Sequence, residues 1–362
     1  MTIRTLITRV LIGLVVVAIV AVAYIGWPRP EWEPYAYGSA DRAKLPRMTM
    51  LNHEKIMGQV LGEPSIPVRS IGILVYDGVS LIEAVGAMVT MSELMNVSVE
   101  YIAAEAGAVA TDRAPLLAHR AQRDVSALDV LIVPGGTPEA MAAVMADSAQ
   151  LQWLRQMDGT SRITAGIGRG SELLALAGPF AERRFAAGQY AQDGKYWTTI
   201  GGTSAIDLGL ALVEAIAGRA NLQGAMLDLE YDPKPPFAPA VEAAPAGAAA
   251  TRILTAADTI RAAPLRVGIL VYDGFFTLDA IGPLVVLSEL QHAEVTLLRA
   301  GASDTVRTGR TTLLVPDAAA DVEALDVLVV PGGSTGTWAM TQDSTVLAWI
   351  RRARGGPGRS PN

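Results

Sequence analysis

The sequence contains no cysteine and very little histidine, and both absences restrict the chemistry open to it. Among 362 residues there is no Cys, and His occurs three times. Without a thiol there can be no disulfide bond, thiolate–metal site or cysteine nucleophile. His53, His119 and His292 lie far apart and do not have metal-ligand spacing. We therefore expect surface or internally hydrogen-bonded histidines, and the sequence predicts no metal and no cofactor.

Clustered positive charge is also scarce. The chain has 29 Lys and Arg against 36 Asp and Glu, a formal net charge of −7. A nucleic-acid surface needs grouped basic side chains to meet phosphates, so the sequence predicts no nucleic-acid partner. Apolar residues make up 51% of the chain, enough to form the core of one large or two moderate domains.

The first thirty residues have the pattern of a membrane anchor. The segment from Val10 to Trp27 carries no charge, and Arg4 and Arg9 precede it. An apolar helix of about this length can cross the hydrocarbon layer. The positive-inside rule predicts a cytoplasmic N-terminus and extracytoplasmic domains, as in a single-pass membrane protein. A cleaved signal peptide ending at Ala21-Val22-Ala23 would also export the chain, giving a secreted or periplasmic protein, and a buried soluble helix is the third alternative.

Two blocks of sequence occur twice in the same order. Residues 71–94 read IGILVYDGVSLIEAVGAMVTMSEL, and residues 267–290 read VGILVYDGFFTLDAIGPLVVLSEL. Residues 124–136, DVSALDVLIVPGG, correspond to residues 321–333, DVEALDVLVVPGG. Matched blocks in the same order indicate a duplicated domain.

The local patterns of the repeat predict an α/β fold. Short apolar runs that end at glycine, such as IGILVYDG and VLIVPGG, favour strands buried on both faces of a parallel sheet. The stretch after the first run has apolar residues at helical spacing. Strand–turn–helix units of this kind predict a doubly wound, mostly parallel sheet. Ligands of such folds bind beyond the C-terminal ends of the strands, so we expect Tyr76–Gly78 and Pro134–Gly136 at that edge.

These patterns predict five segments. They are an anchor or signal peptide at 1–30, a spacer at 31–66, a first domain at 67–237, an Ala- and Pro-rich linker at 238–263, and a shortened second domain at 264–362.

Five motifs in order resemble the ThiJ/PfpI family of the class I glutamine amidotransferase-like superfamily. They are YDGVSLIEAVG, LDVLIVPGG, GSELLALAG, TTIGGTSAIDLGLALVE and LEYDPKPPF. The similarity is greatest to the branch with isonitrile hydratase and the amidase-like domains of AraC-type regulators. It covers residues 68–237 fully and 265–350 partially. The resemblance implies a flavodoxin-like α/β fold with a catalytic cysteine at a sharp elbow.

The chain departs from the family where the catalytic residues are expected. In IGRGSELLALAG (167–178), Gly168 occupies the position of the family's cysteine, and in RRFAAGQ (183–189), Gly188 occupies that of its histidine. Glycine has no side chain that could form a covalent bond. The second domain ends before its own elbow, so it supplies no replacement.

Other residues of the expected site are retained. The resemblance implies that Glu83 is the family's acidic residue, with Asp279 as its counterpart in the second repeat. Gly135 and Gly136 would present backbone N–H groups, as an oxyanion hole does. The other candidate ligand-pocket residues are Gly168, Arg169, Gly170, Gly332 and Gly333.

Several candidates also have structural interpretations. Glu83 could be an ordinary carboxylate at a helix N-terminus, and Asp207 could be a helix cap. Arg169 could bind an anionic ligand or be a solvated side chain. Ser171 is a poor substitute nucleophile because no nearby base is apparent.

The sequence therefore predicts a non-catalytic small-molecule-binding or interaction module, tethered to a membrane. The alternative is a hydratase- or amidase-type enzyme in which Glu83 activates water. A third interpretation is a product shortened by a frameshift or early stop. Because family members dimerise, both a homodimer and an internal pseudo-dimer of the two repeats are compatible with the sequence.

Overall fold

The computed structural model describes residues 66–181, 190–231, 264–322, 325–333 and 335–354. The predicted anchor, nearly all of the spacer, the predicted linker, His53 and Gly188 lie outside these ranges. Within them, no helix combines the length and the apolar character that crossing a membrane requires.

The first repeat, which is the predicted first domain, has nine strands. Seven of them form one sheet, and the other two, β3 and β4, form a separate short hairpin. In chain order the strands are β1 (Ser70–Leu74), β2 (Ser98–Ala103), β3 (Gly107–Val109), β4 (Leu116–Ala118), β5 (Arg120–Ala121), β6 (Val130–Val133), β7 (Ile163–Ile167), β8 (Tyr190–Asp193) and β9 (Tyr196–Thr199). The sheet order is β5-β2-β1-β6-β7-β9-β8. Neighbouring strands are parallel except for the antiparallel pair β8–β9. The predicted mostly parallel α/β sheet is confirmed.

Helices lie on both faces of this sheet. They are α1 (Leu81–Met91), α2 (Pro138–Ala146), α3 (Ser148–Thr160), α4 (Gly170–Ala177), α5 (Ser204–Ala217) and α6 (Arg219–Asp228). Alternate residues of β6 enter different apolar clusters: Val130 and Ile132 pack with α1 and α5, whereas Leu131 and Val133 pack with α2, α3 and α4. Successive side chains of a strand point to opposite faces, so an uninterrupted apolar run fits this position.

The second repeat has the same beginning and fewer elements. Its elements are β10 (Leu265–Val271), α7 (Thr277–Ser288), β11 (Ala293–Arg299), β12 (Thr305–Thr308), β13 (Thr311–Leu314), β14 (Val327–Val329), α8 (Thr335–Gln342) and α9 (Ser344–Arg354). Three of the strands form a parallel sheet in the order β11-β10-β14. In the described ranges this repeat has no counterpart of β7, α4 or α5.

The tryptophans at equivalent positions of the two repeats, Trp153 and Trp349, make similar but not identical contacts. The indole Nε1 of Trp153 donates to the Gln122 carbonyl at 3.2 Å, and that of Trp349 donates to the Val322 carbonyl at 2.9 Å. Both indoles therefore bind the backbone just before the PGG strand, at carbonyls three positions apart in the alignment of the repeats.

The repeats contact each other through a second sheet, in the order β12-β13-β4-β3. Leu313 pairs with Leu116, and the Leu314 N–H donates to the Pro115 carbonyl at 2.9 Å. One apolar cluster contains residues of both repeats, and the two repeats together belong to one compact unit. The short backbone ladder is thus supported by continuous apolar packing.

The packing of α5 on α1 generates a stability prediction. A Cβ at Gly209 would lie 1.9 Å from Thr90 Oγ1, whereas a Cβ at Gly224 of α6 would meet nothing within 4 Å. We expect Gly209→Ala to lower the free energy of unfolding by about 1–3 kcal/mol through overpacking. Gly224→Ala, the matched control, should raise it by up to about 1 kcal/mol because alanine has the higher helix propensity. Urea unfolding measures both, and equal stability of the two variants would contradict the packing described.

Candidate functional site

The carboxyl group of Glu83 is the centre of the candidate site. Glu83 lies in the first turn of α1 and is buried, with 7% of its surface exposed. Its Oε2 accepts the Gly135 N–H at 2.7 Å, and its Oε1 accepts the Gly202 N–H at 2.8 Å. One side chain therefore joins three segments: the start of α1, the loop after β6 and the loop after β9.

The loop after β9 reaches Glu83 because it contains two glycines in left-handed conformations. The φ angles of Gly201 and Gly202 are +102° and +62°. Residues other than glycine rarely adopt such backbone angles. The Ser204 hydroxyl accepts the Gly201 N–H at 3.0 Å and fixes the loop against the start of α5. All three segments lie at the C-terminal edge of the parallel strands, where ligands of this architecture bind.

Gly168 forms the turn between β7 and α4. Its φ is +52°, and its N–H donates to the Thr199 carbonyl at 2.9 Å. A Cβ at this position would lie 3.0 Å from Glu83 Oε1 and 3.1 Å from Gly201 Cα. Glu83 and the loop after β9 therefore closely bound the space in which a side chain at position 168 would begin.

The two glycines after β6 have different roles. The Gly135 N–H, expected to face a ligand, is donated to Glu83 instead. A Cβ at Gly136 would lie 2.6 Å from the Gly78 carbonyl oxygen, so this glycine allows the β6 loop to approach the turn after β1. Gly170 likewise allows close packing, because a Cβ there would lie 1.9 Å from the Val133 carbonyl oxygen.

Burial raises the pKa of Glu83 above its ordinary value. The N–H donors of Gly202 and Gly135 oppose this effect, because they stabilise the charged form, and the negative charge of Asp112 adds to it. Asp112 is close because its Oδ1 accepts the Leu81 N–H at 2.8 Å, which satisfies the start of α1. A buried carboxyl group with a raised pKa is a common feature of functional sites.

Tyr76 is held beside this carboxyl group. Burial raises the pKa of the Tyr76 hydroxyl, and the charge of Glu83 raises it further. The hydroxyl donates to the Pro134 carbonyl at 2.9 Å. Tyr76 is therefore a neutral hydrogen-bond donor that positions the loop after β6.

The remaining candidates of the first repeat lie around this centre. The half-exposed side chain of Arg169, the residue before α4, is 3.6 Å from the carboxylate of Glu172 in the first turn of that helix. Asp207 is buried in the first turn of α5 and accepts the Tyr231 hydroxyl at 3.3 Å. The Ser171 hydroxyl is buried against Gly166 of β7 and, in the described part of the chain, has no hydrogen-bond partner.

The second repeat contains part of the same arrangement. Asp279 Oδ2 accepts the Gly332 N–H at 2.9 Å, and the Tyr272 hydroxyl donates to the Pro331 carbonyl at 2.7 Å. A Cβ at Gly333 would lie 2.6 Å from the Gly274 carbonyl oxygen, the same close approach that Gly136 makes. Asp279 is exposed, and the described part of the second repeat has no counterpart of the Gly168 turn or of the loop after β9 to cover it.

Sequence reasoning missed Gly201, Gly202 and Asp112. The Gly-Gly pair stands in the motif TTIGGTSAIDLGLALVE just before a helix, a position that often requires a positive φ. Asp112 gave no comparable signal, because it lies 31 residues from the backbone N–H that it accepts.

Comparison with known proteins supports the family resemblance of the sequence motifs. No protein-family model matches the chain. An isonitrile hydratase of Pseudomonas putida is 26% identical over 185 residues, which cover 46% of this chain and 80% of the hydratase. This similarity supports a ThiJ/PfpI-family domain that covers about half of the chain. The curated relative thus bears out the resemblance deduced from the five motifs.

Solved structures of other proteins are similar to about half of this chain. A ThiJ/PfpI family protein from Pseudomonas syringae has 23% identity and a TM-score of 0.44, covering 48% of this chain and 78% of its own. Drosophila melanogaster DJ-1beta has 20% identity and a TM-score of 0.41, covering 46% of this chain and 100% of its own.

The raised pKa of Glu83 generates a pH prediction. A carboxyl group whose pKa is higher in the folded state stabilises the fold most below its unfolded value near 4.5. That contribution is lost as the pH rises through the folded pKa. We therefore expect the free energy of unfolding of the wild type, relative to that of Glu83→Gln, to fall as the pH is raised from about 4 towards neutrality.

Urea unfolding at several pH values measures this difference. Near-ultraviolet circular dichroism verifies that Glu83→Gln keeps its packing. A stability difference that is constant with pH, or that grows as the pH rises, would show that burial does not control this carboxyl group.

Proposed function

We propose that the ThiJ/PfpI domain of this chain is a non-catalytic module that binds a small molecule or another protein. The observation that carries the proposal is the occupation of the site by its own residues. Both oxygens of Glu83 are bound by backbone N–H groups, and Gly168 places no side chain at the elbow.

Covalent catalysis requires a nucleophile with a base within hydrogen-bond reach. The chain has no cysteine, and the Ser171 hydroxyl lies against Gly166 of β7 and has no hydrogen-bond partner among the described residues. An oxyanion hole needs donors that are free when charge develops, but the Gly135 N–H is already donated. These features support binding rather than turnover.

A ligand of this module would lie over Gly135, Gly168 and Glu83. It would have to compete with Glu83 for the Gly135 N–H, and a buried carboxylate disfavours a second negative charge. A neutral polar group that both accepts and donates hydrogen bonds fits these constraints better than an anion does.

A hydratase- or amidase-type enzyme is the second candidate function. The observation in its favour is the raised pKa of the buried Glu83, since general acid–base catalysts have pKa values shifted towards neutrality. In this mechanism Glu83 removes a proton from water, and the hydroxide adds to the carbon of an isonitrile, nitrile or amide. The protonated Glu83 then returns the proton to the carbon of the isonitrile, to the nitrogen of the nitrile, or to the amine that leaves as the amide C–N bond breaks. The similarity to an isonitrile hydratase makes isonitriles the first substrates to test.

Turnover assays distinguish the two candidates. With a panel of isonitriles, nitriles and amides, we expect no product above the buffer rate from the wild type, because no nucleophile is present. Glu83→Gln and the counterpart variant Asp279→Asn should give the same result, as followed by chromatography of the products. Saturable turnover that is absent in Glu83→Gln and retained in Asp279→Asn would establish the enzyme instead.

We also propose that the N-terminal segment tethers the module to a membrane and that the repeats lie on the extracytoplasmic side. The uncharged run from Val10 to Trp27, preceded by Arg4 and Arg9, supports this placement. The absence of cysteine is compatible with an oxidising compartment.

Fractionation and a topology reporter test the tether. When the full chain is expressed in a bacterium, it should stay in the membrane fraction after carbonate washing, and a C-terminal alkaline phosphatase fusion should be active. Deletion of residues 2–30 should move the chain to the soluble fraction and inactivate the reporter. Full chain in the soluble fraction with an inactive reporter would contradict the tether.

A further inference from the structure

His119, which follows β4, connects the two repeats. Its Nδ1 accepts the Tyr101 N–H at 2.8 Å, and its Nε2 lies 2.9 Å from the Arg310 carbonyl oxygen of the second repeat. The imidazole stacks on the Tyr101 ring, with centroids 5.4 Å apart and an interplanar angle of 17°. Both ring nitrogens and one ring face are therefore engaged.

These partners determine the protonation state of the ring. A backbone N–H can only donate, so Nδ1 must be the unprotonated nitrogen of a neutral imidazole. A carbonyl oxygen can only accept, so Nε2 must carry the hydrogen. The contacts with Tyr101 and Arg310 are satisfied together by one neutral tautomer.

We infer that His119 is an acid-sensitive contact that holds the β12–β13 hairpin of the second repeat against the first repeat. Protonation places a hydrogen on Nδ1, which then faces the Tyr101 N–H as one donor against another. The ring must turn to relieve this conflict. Turning it removes the hydrogen bond to Arg310, which lies between β12 and β13.

The surroundings of His119 oppose protonation overall. Burial lowers the pKa of His119 most, and the positive charge of Arg310 lowers it further. The Arg310 carbonyl, as a hydrogen-bond acceptor, and the negative charge of Glu100 on β2 act in the opposite direction. Glu100 also pairs with Arg120 of β5 at 3.3 Å, which offsets part of its charge.

The lowered pKa of His119 determines how its contribution to stability changes with pH. A histidine with a lowered pKa in the folded state gives its full stabilisation above its ordinary value of 6.5. That stabilisation is lost as the pH falls below this value, and acidification should therefore loosen the junction.

The other contacts of the junction are neutral or exposed. The Tyr101 and Thr311 hydroxyls lie 3.0 Å apart, and an Arg310 Nη2 donates to the Val97 carbonyl at 3.3 Å. The ion pair between Arg113 and Glu289 has its carboxylate 73% exposed, so it contributes little. We expect acid to weaken the junction locally without separating the shared apolar core.

Amide hydrogen exchange of the full chain tests the inference. The Leu314 N–H crosses the junction to Pro115, and the Tyr101 N–H faces His119. From about pH 7.5 to about pH 5, we expect protection at both amides, corrected for intrinsic exchange, to fall about two- to tenfold. This range corresponds to the loss of one net hydrogen bond.

Two variants make the test specific. His119→Asn keeps an acceptor near Nδ1 but cannot take up a proton, so its protection at Leu314 should not change with pH. His292→Asn is the matched control, because His292 has a φ of +60°, which asparagine tolerates, and it lies outside this junction. Its protection should fall as in the wild type.

A fall of equal size in His119→Asn, or no fall in the wild type, would overturn the inference. Nitrogen NMR of the wild-type imidazoles gives a second measurement that does not depend on a variant folding. It should show His119 as the Nε2–H tautomer at neutral pH, and the Nδ1–H tautomer would also overturn the inference.

Discussion

The carboxyl group of Glu83 binds two backbone N–H groups at once, and the organisation of the site depends on that interaction. It brings the loops after β6 and β9 to the start of α1, although these segments lie 52 and 119 residues from Glu83 in sequence. Burial of a carboxyl group is costly unless its oxygens are hydrogen-bonded. Here both oxygens are bonded, so the same contacts that stabilise the buried group also occupy the donors that a ligand or an oxyanion would use.

The second repeat shows how much of this arrangement each part contributes. Asp279 also accepts a glycine N–H from the PGG loop, but it is exposed and no third loop covers it in the described ranges. The carboxyl–glycine contact therefore forms wherever the strand–turn–helix unit and the PGG strand are both present. Burial of the carboxyl group requires the turn at Gly168 and the loop after β9 as well.

Short-range pattern in the sequence was enough to predict the repeat, the buried strands, the mostly parallel sheet and the edge at which Glu83 lies. It could not predict that the Gly135 N–H is already donated, because that depends on how a side chain 52 residues away is oriented. His119 was expected to be a surface or hydrogen-bonded histidine, but one of its two partners, Arg310, belongs to the other repeat. The anchor remains a prediction, since its residues lie outside the described ranges.

The left-handed turn at Gly168 limits which residues position 168 can accept. The first carbon of any side chain placed there would lie about 3 Å from both Glu83 Oε1 and the backbone of Gly201. A larger residue would therefore fit only if the Glu83 carboxyl group or the loop after β9 shifted slightly. A substitution in that loop, more than 30 residues further along the chain, thus determines how much room the turn after β7 has.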